Sequence, residues 1–444
     1  MNLNSVKAQK ALAIAKTLKS NGHQVLFAGG CVRDFLMRQE PQDFDLATTA
    51  RPEIVESLFA KTIAVGKQFG VILVMDREDC FEVATFRQEG AYRDGRHPDE
   101  IRFTSPQEDA LRRDFTVNGL FFDPFENKVI DYVNGQEDIK RRVIRAIGDP
   151  LKRFEEDKLR LLRAVRFAST LDFEIEKPTW DALCRMAGEI TVVSPERIRD
   201  ELIKILTRPG AARGYTLMSD CGLMRVILPE IETMKGVQQQ PEYHPEGDVF
   251  IHTRMLLEKL DKPSLALAFG ALFHDIAKPK TFAVREGRIT FYEHEHIGVQ
   301  MTEAIMRRLR FSNDQIRDVC AFVGNHMKFA NVQQMRSGKL KLFVSRPTFT
   351  DELEMHRIDC LSSHGMLDNY KFLGVKLKEY EKEDLKPKPI LTGHDLQALG
   401  MKPGPEMKPL LEELYELQLE GQFPDKTAAL AWVQKKMQAR NRRV

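Results

Sequence analysis

The sequence of 444 residues has no apolar stretch that approaches the ~20 residues of a membrane-spanning helix. Its N-terminal segment lacks the continuous apolar core of a secretory signal and instead sets lysines among alanines and leucines, which predicts an amphipathic helix. The six cysteines are scattered singly, without any Cys-x-x-Cys pair, which disfavours a disulfide framework or a thiolate zinc site. We therefore expect a cytoplasmic protein with no membrane partner. The net charge of +2 neither requires nor excludes nucleic acid.

Two patterns of hydrophobicity divide the chain. Over residues 24–133, short apolar runs such as 71–75 and 81–86 alternate with turn residues, which predicts an α/β region with a small sheet. After Gly148-Asp149-Pro150, long helical patterns punctuated by prolines take over, and the remainder is predicted to be mainly α. Histidines are concentrated between residues 244 and 364.

Two aspartates follow a glycine turn near the start of the α/β region. Gly29 and Gly30 stand between a predicted strand and a predicted helix, where the backbone can approach a phosphate. Asp43 and Asp45 are two residues apart, so on a strand their carboxylates would face the same side and suit Mg²⁺. Glu82, an acid that looks buried inside an apolar run, is the expected third carboxylate of a two-metal site. Asp-x-Asp alone is usually a surface turn, but its setting favours the metal site.

These residues belong to a set of five ordered motifs. Residues 28–50, AGGCVRDFLMRQEPQDFDLATTA, resemble the signature of class II CCA-adding enzymes and bacterial poly(A) polymerases, within the polymerase-β-like nucleotidyltransferases. The other motifs are RRDFTVN (112–118), DYVNGQED (131–138), EDKLR (156–160) and SPERI (194–198). The resemblance implies an α/β nucleotidyltransferase head, an all-α neck and body, an HD domain and a helical tail. We place them at residues 1–145, 146–236, 237–368 and 369–444.

The resemblance also implies roles for individual residues. The implied catalytic residues are Asp43, Asp45 and Glu82, which would bind two Mg²⁺ ions. The implied reaction is the template-independent addition of CCA from CTP and ATP to the acceptor arm of tRNA, with release of pyrophosphate. In the family the second motif contacts the ribose and the fourth reads the incoming base. The implied nucleotide-binding residues are Gly29, Gly30, Arg33, Arg112, Arg113, Asp114, Asn118, Glu156, Asp157, Arg160 and Arg163.

The spacing within the fourth motif agrees with base reading. Phe154, Leu161 and Val165 lie on one apolar stripe, which predicts a single packed helix. Asp157 and Arg160, three residues apart, would share another face and offer an acceptor and a guanidinium fork to a base edge. An intrahelical salt bridge on a solvated face is the ordinary alternative for such a pair.

The polar loop 87–98, with Arg93, Asp94 and Arg96, resembles the flexible loop with which full CCA-adding enzymes switch from CTP to ATP. Enzymes that add only the two cytidines tend to lack this loop, so its presence argues against that subtype. Residues 65–71 resemble the CCA-adding branch more than the poly(A) branch. A dedicated A-adding enzyme has nearly the same motifs, and it stays an alternative together with a poly(A) polymerase.

A second candidate site lies in the histidine-rich segment. Imidazole and carboxylate together suit transition metals, although a single histidine is more often structural. Residues 271–278, ALFHDIAK, resemble the central signature of an HD domain. The implied ligands, for Mn²⁺, Ni²⁺ or Fe²⁺, are His252, His274, Asp275, His294, His326 and Asp359. HD domains often hydrolyse phosphate esters, which implies a phosphodiesterase or phosphatase activity on RNA ends; a scaffold with a structural metal, or none, is the alternative.

The tail from Pro389 to Trp432 also resembles the family and is expected to bind the acceptor arm and TΨC elbow of tRNA through salt-dependent phosphate contacts.

Two other classes of function compete with nucleotide addition. In one, the HD site is the active centre and the head binds RNA. The other, a non-catalytic RNA-binding protein, is disfavoured because Asp43, Asp45 and Glu82 would repel a polyanion.

Overall fold

The structure is a computed structural model that describes residues 3–89, 101–381 and 383–441. The chain forms two compact units, one of residues 1–233 with 308–311 and the other of residues 234–307 with 312–444. Within the described ranges, no helix combines the length and the apolar character needed to cross a membrane. The finer domain borders expected at residues 145, 236 and 368 stay predictions.

The first unit contains a mixed sheet, which is followed by a group of helices. Its strands are β1 (Val25–Ala28), β2 (Asp45–Thr48), β3 (Thr62–Gly66), β4 (Val71–Asp76), β5 (Asp79–Thr85), β6 (Arg87–Glu89), β7 (Ile101–Phe103), β8 (Leu120–Asp123), β9 (Lys128–Asp131), β10 (Val143–Ile144) and β11 (Glu174–Ile175). Its helices are α1 (Val6–Ser20), α2 (Gly30–Leu36), α3 (Pro52–Leu58), α4 (Pro106–Leu111), α5 (Gly135–Arg141), α6 (Pro150–Glu156), α7 (Leu159–Leu171), α8 (Lys177–Met186), α9 (Pro195–Leu206), α10 (Ala211–Asp220), α11 (Leu223–Ile227) and α12 (Pro229–Glu232).

Seven strands form the main sheet in the order β3-β4-β5-β2-β1-β8-β9. Neighbours are antiparallel except β2 and β5, which are parallel. On β5 the side chains of Phe81 and Val83 are buried, whereas Glu82 between them is exposed. The apolar run therefore covers one face of the sheet, because successive side chains point to opposite faces, and the expectation of a buried Glu82 is wrong. The α/β head itself is confirmed.

The helices after the sheet pack around α7, whose residues are mostly buried. At Gly210 a Cβ atom would lie 2.1 Å from the Ser169 carbonyl oxygen, so this glycine permits the close approach of α10 to α7. Phe154, Leu161 and Val165 are fully buried as expected. They do not, however, belong to one helix.

The second unit is almost entirely helical. Its helices are α13 (Val249–Lys259), α14 (Leu265–Phe273), α15 (Lys278–Thr281), α16 (His294–Arg308), α17 (Asn313–Asn325), α18 (Ser337–Val344), α19 (Phe349–Ser362), α20 (Asp368–Tyr380), α21 (Gly393–Ala398), α22 (Met407–Leu419) and α23 (Lys426–Asn441), and a 3₁₀ helix spans His326–Gln334. One hairpin of β12 (Ala283–Arg285) and β13 (Arg288–Thr290) departs from the all-α expectation. Glu286 and Gly287 both have positive φ, 51° and 76°, as a two-residue hairpin turn requires.

Candidate active site and metal centre

An open cleft of about 500 Å³ lies in the first unit, beside the turn from β1 into α2. Gly29 forms this turn with a φ of 68°, and a Cβ atom there would lie 3.1 Å from Arg113 Nη1. A side chain would therefore strain the backbone and crowd the arginine. Gly29 and Gly30 both line the cleft, so the predicted glycine turn leaves the backbone open to a ligand.

Two of the three predicted carboxylates, Asp45 and Glu82, line the cleft from the parallel strands β2 and β5. Desolvation within the cleft, and then the charge of Glu82, raise the pKa of Asp45 to about 6. Asp43 contributes to the same shift, but it precedes β2 and its Oδ1 lies 2.6 Å from Lys7 Nζ of α1. Asp43 therefore does not belong to the strand that carries Asp45, as the expectation of a shared strand face required. Repulsion nevertheless couples the three carboxylates, and a cation would relieve it.

A buried acid, Asp109, pairs with both arginines of the second motif, one of which lies beside the glycine turn. Sequence reasoning missed this acid. Asp109 of α4 binds Arg112 at 2.6 Å and Arg113 at 3.1 Å. Burial alone would raise the pKa of Asp109, but the two arginines outweigh it and hold the pKa below its usual value. Arg113 also donates to the Asn118 carbonyl, and the Asn118 side chain accepts from Arg33 at 2.7 Å. The signal for Asp109 was its spacing, three and four residues before the arginines.

Asp114 is buried and pairs with the partly exposed Arg163 at one wall of the cleft. Arg163 of α7 donates to Asp114 Oδ2 at 2.5 and 2.8 Å, and Asn118 donates to Oδ1 at 3.1 Å. Burial would raise the pKa of Asp114, but Arg163 outweighs it and holds the pKa well below the usual value. The pair links the second motif to α7, just after the fourth motif, and leaves both side chains lining the cleft.

The helix predicted across the fourth motif is wrong, because Asp157 interrupts it between α6 and α7 with φ −145° and ψ 106°. Asp157 Oδ1 accepts from the Leu159 backbone N–H at 3.0 Å, so the side chain starts a new helix instead of continuing the old one. Asp157 Oδ2 accepts from Arg197 of α9 at 2.7 Å. Arg197, in the fifth motif, lines the cleft with Asp157.

Arg160 does line the cleft, but its guanidinium already has partners. It contacts the Glu156 carboxylate and donates to the carbonyl oxygens of Arg153 at 2.9 Å and Arg112 at 3.2 Å. Glu156 is not among the lining residues and instead anchors Arg160. The structure thus brings both residues to one cleft, Asp157 from the break between α6 and α7 and Arg160 from the first turn of α7.

The cleft is richer in arginine than the sequence motifs indicate. Arg87, Arg166 and Arg208 also line it and were not predicted as site residues. A concentration of guanidinium groups suits a polyphosphate ligand. The predicted loop residues Arg93, Asp94 and Arg96 lie outside the described residues.

The predicted histidine site is assembled in the second unit. Three histidines direct Nδ1 at a backbone carbonyl three residues earlier, His274 at 2.9 Å, His294 at 2.8 Å and His326 at 2.7 Å. This arrangement fixes the tautomer and leaves Nε2 as the free acceptor. His294 Nε2 and His326 Nε2 lie 3.0 Å apart, and His274 Nε2 lies 3.1 Å from Asp275 Oδ2. Burial, and then His274 and His294, lower the pKa of His326 to about 3, so it is in the neutral form that binds metal.

His252 completes the site through two carboxylates. Its Nε2 lies 3.0 Å from Asp359 Oδ1, and its Nδ1 lies 2.7 Å from Oε1 of Glu246, a residue that sequence reasoning missed. His244 also contacts Glu246, at 2.9 Å. Burial would lower the pKa of His252, but Asp359 and Glu246 outweigh it and raise the pKa to about 9. The two carboxylates thus draw one positive charge to this position, either a proton or a metal ion.

The ligand atoms of this buried centre pair mainly with one another. His252 Nδ1 and Nε2 lie beside carboxylate oxygens and His274 Nε2 lies beside Asp275 Oδ2, whereas Glu246 Oε2 has no hydrogen-bond partner, which is unusual for a buried polar atom. Among the described residues, side chains whose ligand atoms all lie within 4.8 Å of one another form three overlapping sets, all in this centre. These observations fit a metal, because closely grouped imidazole and carboxylate ligand atoms suit coordination and a metal would satisfy Glu246 Oε2.

Known proteins resemble the chain in both of its units. Three family models match, the Poly A polymerase head domain over residues 25–145, the probable RNA and SrmB-binding site of polymerase A over 172–235 and the HD domain over 247–361. The chain is 30% identical over 427 residues to the CCA-adding enzyme of Lactobacillus johnsonii, covering 95% of both chains. The chain belongs to the CCA-adding enzyme family. The CCA-adding enzyme of Anoxybacillus flavithermus is 29% identical over 428 residues, again 95% of each chain.

Membership of this family extends to the three-dimensional structure. The fold matches the crystal structure of the Bacillus stearothermophilus CCA-adding enzyme in complex with CTP with a TM-score of 0.76 and 26% identity, over 99% of this chain and 100% of that one. A family nucleotidyltransferase uses a divalent metal ion, and the coupled carboxylates of the cleft fit that need. The predicted head and HD domain are both confirmed.

Proposed function

We propose that the chain adds CCA to the 3′ end of tRNA from CTP and ATP and releases pyrophosphate at each step. One observation carries this proposal. A single cleft brings together the glycine turn, two strand carboxylates and arginines of the second and fourth motifs. A cleft of about 500 Å³ is in the size range of a nucleotide site. The six free cysteines fit the reducing cytoplasm, where tRNA is processed.

Within this proposal, Asp45 and Glu82, joined by Asp43, hold Mg²⁺. When bound, the metal activates the attacking 3′-hydroxyl and neutralises charge on the leaving pyrophosphate. The glycine turn at Gly29 and Gly30 lets the backbone approach the phosphates. The arginines next to it supply fixed positive charge for the triphosphate, and Asp109 keeps two of them in place.

Base selection is assigned to Asp157 with Arg160 and Arg163. A carboxylate can accept a hydrogen bond from the exocyclic amine of cytosine or adenine. Asp157 is suited to this role because Arg197 and the Leu159 N–H fix its carboxylate. Arg160 can contribute only the N–H groups that Glu156 and the backbone carbonyls leave available.

The decisive experiment supplies tRNAs that end at the discriminator base, after one cytidine or after two, with CTP and ATP separately and together, and sequences the products. Completion of CCA on all three supports the proposal. Addition only to the tRNA ending in two cytidines would identify an A-adding enzyme, and long adenosine tails would identify a poly(A) polymerase.

The role of the carboxylates is tested with Asp45→Asn, which keeps the shape of the side chain. It should abolish incorporation and leave tRNA binding close to normal. Glu78→Gln, at the exposed turn between β4 and β5, is the matched control and should add nucleotides normally. Normal turnover by the Asp45 variant would exclude this site assignment.

A second function, hydrolysis of phosphate esters at RNA ends, is favoured by the closely grouped imidazole and carboxylate ligand atoms of the histidine centre. His252, His274, Asp275, His294, His326 and Asp359 form a ligand set that suits Mn²⁺, Ni²⁺ or Fe²⁺. The test offers an RNA with a 2′,3′-cyclic phosphate to the metal-loaded protein without nucleoside triphosphate. Cleavage that is lost in His274→Ala with Asp275→Ala, while CCA addition persists, supports two separate sites. No cleavage with any of the three metals would leave the centre a structural one.

A further inference from the structure

The second unit contains a basic groove of about 670 Å³ that has no place in either proposed reaction. It lies where the 3₁₀ helix 326–334 and α18 meet α22. Its walls carry the cations Lys328, Arg336, Lys339 and Arg346, the amides Asn331 and Gln334, and the apolar residues Met335, Leu342 and Phe343. The acid in this lining is Glu416.

The positive charges of the groove are only partly compensated. Lys339 is exposed, with no ion pair or hydrogen bond to any described residue. Arg336 is 66% exposed, and its Nη2 lies 3.7 Å from Glu416, beyond hydrogen-bond distance. Arg346 pairs at 2.5 Å with the buried Glu352. Among the lining residues, four cations therefore stand against the single acid Glu416, and Arg346 is compensated by Glu352 from outside the lining.

Lys328 is held in the groove by a neutral partner. Its Nζ donates to Asn325 Oδ1 at 2.8 Å, and this amide does not compensate the charge of the ammonium. A bound anion would supply that compensation.

The groove is rigidly built. At Gly338 of α18 a Cβ atom would lie 2.1 Å from the Glu416 carbonyl oxygen, so the two helices pack at backbone distance. Lys341 Nζ donates to the Leu419 carbonyl at 3.1 Å and fastens the same contact. Because the walls are fixed, little entropy would be lost when a ligand binds.

We propose that this groove binds the sugar–phosphate backbone of RNA, and that it is a contact site for the tRNA substrate. The Arg346 guanidinium lies over the Phe343 ring, 4.0 Å from its centroid. The groove thus combines positive charge, apolar side chains and amides, which are the groups that bind the phosphates, sugars and bases of RNA. The 3₁₀ helix that carries Lys328 begins at His326, so the groove is next to the histidine centre, for which hydrolysis at RNA ends is proposed above. The proposal rests on tRNA being the substrate.

The test removes the two cations that have the least structural role, in Arg336→Ala with Lys339→Ala. The control, Lys371→Ala with Lys378→Ala, removes two exposed lysines from α20 of the same unit. Dissociation constants for tRNA are measured at several salt concentrations, and CCA addition is measured at saturating tRNA. Melting temperatures establish that both variants fold.

We expect the groove variant to bind tRNA about 10-fold more weakly at moderate salt, and its slope of log K against log salt to fall by about 1–2, as for the loss of two phosphate contacts. Turnover at saturating tRNA should not change, and the control should match the wild type. Equal affinity and slope in the groove variant would overturn the inference. The inference would also be overturned if the groove variant bound tRNA as tightly as the wild type but bound poly-glutamate more weakly, because that result would indicate an acidic protein partner. A wild type that binds tRNA but adds no CCA would instead refute the proposed function alone.

Discussion

Glu201 of α9 is predicted to hold this helix, which carries Arg197, against α7, which carries Arg160 and Arg163. Its Oε2 lies 2.8 Å from Arg166 Nε of α7, and the two side chains are 3% and 9% exposed. Lys204 contacts the other carboxylate oxygen at 3.1 Å. Burial lowers the pKa of Arg166 to about 10 against the opposing charge of Glu201, so the guanidinium depends on this carboxylate to stay charged inside the protein.

Replacing Glu201 with Ala leaves that charge buried and unpaired. Breaking a buried pair in this way costs about 3–5 kcal/mol of unfolding free energy. For a unit of 150–250 residues, each kcal/mol corresponds to a shift of about 2–4 °C in Tm, so the transition of the first unit should fall by roughly 6–20 °C. The second unit should melt as before, since none of these three groups belongs to it.

The assay is differential scanning calorimetry, with Asp200→Ala as the control. Asp200 is the neighbouring residue and pairs with Arg199 at the surface, where the side chain is 53% exposed. An exposed pair contributes about 0–1 kcal/mol, so the control should shift Tm by at most a few degrees. CCA addition below the transition should persist in Asp200→Ala, whereas Glu201→Ala is compared for stability alone, because its partner Arg166 lines the cleft.

A double variant separates the pair from a general packing defect. Glu201→Met with Arg166→Met removes both charges and refills the space, and it should recover most of the stability lost in Glu201→Ala. Only stability is compared here, because Arg166 itself lines the cleft. If the double variant is as unstable as the single one, or if Glu201→Ala melts like Asp200→Ala, the pair does not connect α7 to α9 as described.

Two further predictions follow from contacts that the sequence did not reveal. Glu246→Ala should lower the affinity of the histidine centre for Mn²⁺ by about 10–100-fold in calorimetric titration, because Glu246 orients His252; the exposed Glu242→Ala should bind like the wild type, and equal affinity in both would contradict the orienting role. Arg197→Ala should narrow the discrimination between CTP and ATP by about 10-fold in kcat/KM, since Asp157 loses the partner that fixes it, and unchanged discrimination would show that Asp157 needs no such support.

Local patterns in the sequence predicted most of the fold and many of the site residues. Short apolar runs between turn residues predicted the strands. Gly29 indicated the turn into α2, where a positive φ is needed. The single helix through Asp157 could not be excluded, since Phe154 and Leu161 keep helical spacing across the break. The break depends on the side chain of Asp157 bonding to the backbone, a local competition that periodicity does not register.

Partners that are distant in sequence were the second source of error. Asp43 looked like a companion of Asp45 on a strand, but its position depends on Lys7, thirty-six residues away. Glu246 carries no motif, and its role appears only when the loop before α13 places it beside His252. Motifs therefore identified many of the residues that line the cleft and form the histidine centre, whereas the carboxylates that position them became visible only as three-dimensional contacts.

The four histidines of the histidine centre show why Glu246 is needed. His274 and His326 stand at the C-terminal ends of α14 and α17, where helix carbonyls lack partners and can accept from Nδ1. His294 uses the carbonyl of Phe291, which lies before α16. His252 lies inside α13, where the Val249 carbonyl already accepts from Thr253 Oγ1. A ligand inside a helix must take its orienting acceptor from another segment, and a buried carboxylate in the preceding loop supplies it.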